Sequence, residues 1–599
     1  MAFSISSEGR KGYLILLSVC VLSILLRIWL LDKRWINPDE GAHLMDAVLI
    51  LHGKVPGVDF ASRQPIYAYA NAAVLKFLGA SYISGRIFPM TCSVLVGFMV
   101  FIMAFMLFDQ KVAILSAAIY WIMPLELINS VIVKTEPLVT LLTCLSLFFV
   151  ILFSRGKRKT WLIFAGIFAA MGFYVRQSAL FIPLTVLGFL LIQHRGRLRD
   201  AALCFGMFFI GYGGIIFLVL VYYIRFMGLN DFIMSSGLSP FGFLASAGKK
   251  LPSLFGFSHG TAKNLGSTTP DVTYKNYKLY YRYVREAIRL HLFLLVGLGF
   301  SILTFIRRIF SADKLKINDH LESYSLLYLW IFSLFIAYTY YYFTGAFYID
   351  YFREFLPPLV IVFSAWVRYY VAGFERDGYT ERFVFIGLAS CGIIFAVISV
   401  INLSYRTILL ASGGTAIATF LIFGLKRIPS ERFRLPNLIH LAAASTMIGS
   451  LFLGLAYSGD ALGLKYHCVW SPKSLVLTAS YLKKHTHKTD RIISGGVIWE
   501  LQSHRMPFLD ISHPLGFEIK MAPQEREDIE RALHSHPPEI IILDGYTERT
   551  YLRQVPSLDN FIASNYELAL TAGPAKYKVK TYRIKGTVKK PFLSGNGFS

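Results

Sequence analysis

The chain has 599 residues, of which 55% are hydrophobic and 16% charged, and its net charge is +24. That composition excludes an ordinary water-soluble protein, and the basic excess sits in short loops between apolar runs, where it signals membrane topology and contact with anionic lipid. Nucleic acid is excluded as a partner because basic arms and nucleic-acid motifs are absent. Cys20, Cys92, Cys144, Cys204 and Cys391 fall inside apolar runs and Cys468 stands alone, a pattern of neither a disulfide framework nor a zinc site.

The first apolar run, 13–31, is long enough to cross a bilayer. Arg10 and Lys11 precede it and keep the N-terminus cytoplasmic. No small-residue cleavage site follows, so it is not a removable signal peptide. Further runs at 88–107, 112–130, 137–154, 161–174, 178–193, 201–224, 288–306, 324–343, 355–372, 383–403, 406–424 and 438–457 bring the expected spans to thirteen. An odd number places the C-terminus on the exported side. The loops that then fall in the cytoplasm read RGKRK (155–159), HRGRLR (194–199), RRIFSADKLK (307–316) and KRIPSERFR (426–434), all short and basic as that orientation requires.

Three exported segments are large: 32–87, 225–287 and the tail from 458. In the first, Gly41 to Leu51 and Tyr67 to Leu78 mix apolar and polar positions at helical spacing and read as helices lying in the interface. The tail changes composition. Leu475 to His485 reads as an amphipathic helix, RIISGG (491–496) as a strand, PFLDIS (507–512) as another, Gln524 to Ser535 as a helix, EIIILDG (539–545) as a strong strand, and Tyr566 to Thr571 with Tyr577 to Ile584 as a final strand pair. Residues 1–457 thus form a membrane domain and 458–599 a small exported α/β domain, without a phosphate-binding glycine motif.

Chemistry concentrates on the exported side. Asp39 and Glu40 follow the first span in NPDEGAH. Carboxylates beside a bilayer are costly and tend to have a task, and one here could take a proton from a hydroxyl or amine. Asp39, His43 and Asp46 are spaced i, i+4, i+7, so one helical face could present all three to a divalent metal. The plainer account is a helix start with Pro38 at its first position and acids favoured by the dipole. Arg63, Arg86, Lys134, Arg176 and Arg353 lie on the exported side against the positive-inside trend; a phosphate group at the membrane surface would retain them, and snorkelling is the alternative for each. Lys134 and Glu136 could neutralise each other, and Asp350 and Glu354 could orient Arg353. Tyr340, Tyr341, Tyr342, Tyr348 and Tyr351 make an aromatic belt or a sugar-stacking surface. His43, Tyr348 and Asp350 are candidates for contact with acceptor or sugar.

The segments NPDEGAHLMDAVLILHGKVPGVDF and SRQPIYAYANAAVLKFLGASYISGRIFPM resemble the family C (GT-C) membrane glycosyltransferases, nearest to the protein O-mannosyltransferases and the bacterial lipid A aminoarabinose transferases. The family's Asp-Glu pair is Asp39-Glu40 here, and Gly79 and Arg86 fit its Gly before an Arg that opens the second helix. Its basic-Pro-Pro segment is reduced to Arg63-Gln64-Pro65. NSVIVKTEP resembles its second acidic site, with Glu136, and FYIDYFREFLPPLVI its Arg-containing segment, with Arg353. The resemblance implies a polytopic GT-C-like helical membrane protein of a bacterial inner membrane, with a periplasmic tail. It implies a polyprenyl-phosphate-sugar donor, an acceptor on a glycan, a glycolipid such as lipid A, or a protein, Asp39 as base, Glu40 and Glu136 as further catalytic acids, and the five cations on the donor phosphate. A divalent metal is left open. A lipid or glycan transporter and a non-catalytic membrane scaffold are the alternatives.

Overall fold

The computed structural model describes residues 7–60, 65–235, 238–245, 283–310, 318–343, 348–368, 470–510, 531–545, 556–573 and 578–586. Up to residue 368 it is helical. In chain order the helices are α1 (Ser7–Leu30), α2 (Pro38–Leu51), α3 (Pro65–Leu78), α4 (Tyr82–Leu107), α5 (Gln110–Ile122), α6 (Pro124–Asn129), α7 (Glu136–Gly156), α8 (Thr160–Phe173), α9 (Ile182–Gln193), α10 (Leu198–Tyr223), α11 (Leu229–Met234), α12 (Leu292–Phe310), α13 (Asn318–Phe343) and α14 (Leu356–Trp366), with 3-10 turns at Gln177–Phe181 and Ile349–Phe355. Among the described residues five helices are long and apolar enough to cross a membrane: Gly12–Leu30, Tyr82–Leu107, Glu136–Gly156, Leu198–Tyr223 and Leu321–Thr339. The first ten expected spans each fall on a described helix or helix pair; 383–403, 406–424 and 438–457, and most of the 225–287 loop, lie outside the described residues.

The burial pattern is that of a protein solvated by lipid. On α1, Leu14, Ile15, Leu17 and Leu25 point outward, while Ser23 and Arg27 are enclosed. An intramembrane cation turned inward is the expected arrangement, since hydrocarbon offers it no hydrogen bonds. α8 and α10 cross backbone to backbone: a Cβ on Gly166 would overlap the Phe208 carbonyl, and one on Gly211 the Ile163 carbonyl. Small residues permit such close crossing where lipid supplies no hydrophobic drive. The run 112–130 is not one helix. Met123 has ψ 122°, and Pro124 starts α6, because proline lacks an N–H and drives its predecessor into the extended region.

In the first loop α2 and α3 form where the pattern places them, but α2 is no surface helix. Leu44, Met45, Ala47 and Leu49 are fully buried, packed by α3, α4 and the tail. The tail contains α15 (Pro472–His485), β1 (Arg491–Ser494), α16 (Ile498–Ser503), β2 (Met506–Pro507), β3 (Ile540–Asp544), α17 (Pro556–Asn565), β4 (Tyr566–Ala572) and β5 (Val579–Ile584). The sheet order is β2-β1-β3-β5-β4. β1 runs parallel to β2 and β3, while β5 is antiparallel to β3 and β4. The strand expected at 507–512 shrinks to Met506–Pro507, followed by a 3-10 turn at Phe508–Asp510. Residues 511–530, with most of the helix expected from Gln524, lie outside the described residues.

Candidate active site

The site is built around the first turn of α2. Asn37 caps it: its Oδ1 accepts from Asp39 N at 3.0 Å, and Glu40 Oε1 accepts from Asn37 N at 2.8 Å. This reciprocal box satisfies two orphan donors and fixes where the next side chains point. Glu40 turns inward. Arg86 Nε donates to its Oε2 at 2.7 Å and Nη2 to its Oε1 at 2.8 Å, and both side chains are wholly enclosed. Arg86 also donates to the carbonyls of Leu31 (2.6 Å), Arg34 (2.8 Å) and Trp35 (3.2 Å). Glu40, expected as a further catalytic acid, and Arg86, expected as a phosphate ligand, are therefore engaged with each other and with the chain just after α1. Asp39 lies about 100° away around the helix, and its side chain is 57% exposed.

Asp39 shares a cation with a distant carboxylate. Lys134 Nζ stands 2.8 Å from Asp350 Oδ2 and 3.4 Å from Asp39 Oδ2. Asn129 Nδ2 donates to the other Asp350 oxygen at 2.5 Å. Burial works against charge on Lys134, yet Asp350 and Asp39 hold its pKa well above the usual lysine value. Burial would likewise raise Asp350, but Lys134 keeps it below the usual aspartate value. Tyr348 stands at the rim, 42% exposed. Its hydroxyl is pushed up to about 12, by burial first and then by Tyr351 and Asp39. Asp39, Lys134 and the Tyr348–Asp350 stretch, from three separate segments, thus form one cluster.

The remaining candidates pair differently from the expected scheme. Glu136 meets Arg176 (Nη1 to Oε1, 2.8 Å), while Lys134, in the turn before α7, meets Asp350. Arg176 also lies 3.2 Å from Glu354 and 3.9 Å over the Tyr351 ring. Arg353 forks onto Glu126 at 2.7 and 3.1 Å and reaches the Asn129 carbonyl at 3.0 Å; neither Asp350 nor Glu354 orients it through a bond. In this structure these arginines meet the protein's own buried carboxylates. Arg63 lies outside the described residues, as do the side chains of Tyr340 and Tyr342. His43 packs edge-on to Tyr67 at 5.0 Å, and Asp46 is buried. Among the described residues no three His, Cys, Asp or Glu side chains gather as a metal site would need. For Asp39, His43 and Asp46 the reason is length: seven residues of helix span about 10 Å.

Two residues of the network were not singled out from the sequence. Arg27, inside the first span, donates to Ser130 Oγ at 2.9 Å and to the Trp121 carbonyl at 3.2 Å, tying α1 to the segment that carries Lys134. Asn129 supports Asp350 and Arg353 together. A charge buried in an apolar run was the one available cue for Arg27; Asn129 carried none.

Residues 62–223 match the family model of the dolichyl-phosphate-mannose-protein mannosyltransferases. The fold is similar to that of ArnT from Cupriavidus metallidurans in the apo state, with 13% identity and a TM-score of 0.53 over 96% of this chain and 98% of that one. It is similar also to the same protein bound to undecaprenyl phosphate, with 12% identity and a TM-score of 0.51 over 96% of this chain and 99% of that one. No curated protein matches the sequence. The resemblance carried by the first loop is thereby borne out: the chain has the fold of the GT-C membrane glycosyltransferases.

Proposed function

We propose that the protein is an integral membrane glycosyltransferase that moves a sugar from a polyprenyl-phosphate donor to an acceptor hydroxyl or amine on the exported face. The observation that carries this is the cluster at Asp39: an exposed carboxylate at a capped helix start, next to a lysine held charged between two acids. Asp39 takes the proton from the acceptor. The acceptor atom attacks the anomeric carbon, the bond from that carbon to the phosphate oxygen breaks, and polyprenyl phosphate leaves with the electron pair. Lys134 sits where charge grows on the departing phosphate, and such stabilisation acts only as the bond breaks. Tyr348 offers an aromatic face to the sugar. Glu40, Arg86, Glu126, Arg353, Glu136 and Arg176 hold the surrounding segments in place. The family match and the likeness to an undecaprenyl-phosphate complex support the donor class.

The test is sugar release from a panel of radiolabelled polyprenyl-phosphate sugars, using purified wild type and Asp39→Asn with a crude membrane extract as acceptor. Wild type should release one sugar, and Asp39→Asn should fall by about 10²–10⁴-fold, the range of a positioned general base. Folded wild type that releases none overturns the reading.

A further inference from the structure

Among the described residues the tail presses on the helix that carries Asp39 at the turn Ser494 to Glu500. Gly496 presses on α2 at Gly41, two residues after Asp39: a Cβ on Gly41 would overlap the Gly496 carbonyl oxygen and lie 2.8 Å from the Ile498 nitrogen. A Cβ on Gly496 would in turn run into the Trp470 ring. Two further bonds flank this contact. Ile36 N donates to the Trp470 carbonyl at 2.9 Å, and Tyr82 N donates to Gln502 Oε1 at 3.4 Å. The tail therefore grips the chain three residues before Asp39, two residues after it, and at the start of α4.

The turn is strained. Val497 has φ +43°, a left-handed conformation that β-branched residues avoid, and it is buried. Such outliers persist only where the surroundings over-determine them, and they cluster where geometry is put to use. Here Ser494 Oγ supplies the constraint: it accepts from Val497 N at 3.0 Å and donates to Glu500 Oε2 at 2.7 Å. Trp470 and Trp499 pack edge to face at 4.7 Å behind it.

We propose that this turn is a positioning element for the transfer reaction: by clamping α2 at Gly41 it sets the direction of the Asp39 carboxylate, so the tail completes the site without touching substrate. Ser494, Gly496 and Glu500 are positioning residues that act through Gly41. The inference rests on Asp39 being the base.

The experiment uses the full chain in nanodiscs. Gly41→Ala and Ser494→Ala are compared with the conservative Glu500→Gln, whose Oε1 still accepts from Ser494. Amide exchange over residues 36–46 reports the clamp without reference to activity, and kcat and KM for sugar release report its use. Gly41→Ala and Ser494→Ala should speed exchange at 36–46 and lower kcat by about 10²-fold, with KM for the donor within about twofold, because displacement of about 1 Å is enough to misalign a reacting pair. Glu500→Gln, which keeps the acceptor for Ser494, should leave both close to wild type. If Gly41→Ala does not fold, Gln502→Ala, which adds no atoms, should give a smaller change of the same kind. Unchanged exchange in Ser494→Ala overturns the proposal, as does faster exchange with kcat intact. Should wild type release no sugar at all, the functional reading fails, and the exchange result still decides whether the turn holds α2.

Discussion

The Asp39 carboxylate is 57% exposed and the Glu40 carboxylate is wholly enclosed, although the two are neighbours in the chain. Removing one partner of a buried ion pair leaves an uncompensated charge and costs about 3–5 kcal/mol. Glu40→Ala and Arg86→Ala should therefore both lower the thermal unfolding temperature sharply in detergent. Asp39→Asn should leave that temperature close to wild type while lowering turnover by about 10²–10⁴-fold. Equal stability losses at positions 39 and 40 would contradict the division of labour drawn from the geometry. Lys134 sits between these cases, since it serves Asp350 as well as Asp39. Lys134→Gln paired with Asp350→Asn removes the buried charge from both sides. That double variant should fold, yet bind undecaprenyl phosphate about tenfold or more weakly, since hydrogen bonds to charged groups contribute about 1.5–3 kcal/mol. Competition against the sugar donor measures it, and unchanged affinity would remove Lys134 from the phosphate.

At the scale of elements, α2 is the piece on which the site depends, and its start rests on the capping box. Asn37→Ala removes the acceptor for Asp39 N and should cost about 1 kcal/mol. Amide exchange in the first turn of α2 should then rise by about fivefold, with little change in α3. Uniform loosening of both helices would mean that packing, not the cap, holds Asp39. The 3-10 turn Ile349–Phe355 is the second such element: Asp350, Arg353 and Glu354 leave it toward Lys134, Glu126 and Arg176 respectively. That divergence lets one short segment brace three others.

For the whole molecule, the tail's contact with α2 carries a titrating group. Glu500 is buried, and desolvation pushes its carboxyl up to about 7 against the Ser494 hydrogen bond, from an ordinary value of 4.5. The native state thus keeps a proton that the unfolded state releases. Stability should fall as pH rises from about 4.5 to about 7 and level off above, a loss of about 3 kcal/mol. Glu500→Gln should flatten this slope, and protection of the β1 and β3 amides in wild type and variant across pH 4.5–8 measures it; identical profiles would show that another group titrates. Orientation is also open to direct measurement. A cysteine at Lys488 should react with impermeant maleimide in intact cells, and one at Lys157 only after permeabilisation, once Cys391 and Cys468 are replaced. The reverse pattern would invert the topology. Cys20, Cys92, Cys144 and Cys204 are buried and give little background.

The amino-acid pattern alone was enough for the mostly helical membrane class, for helices under the first ten apolar runs, for the two helices of the first loop and for the main strands of the tail. It was enough because hydrophobic period and turn residues act locally: EIIILDG becomes β3 through its own pattern. It also singled out Asp39, Glu40, Lys134, Glu136, Arg176 and Arg353 as charges needing a reason. Which charge answers which was decided only by tertiary structure, since the partners lie far apart in the chain: Arg86 with Glu40, Arg353 with Glu126, Lys134 with Asp350. Pairing over 46, 227 and 216 residues leaves no trace in local spacing. A buried guanidinium and a phosphate-binding one look alike in a sequence; burial and the positions of opposing carboxylates separate them, and those exist only once the helices have packed.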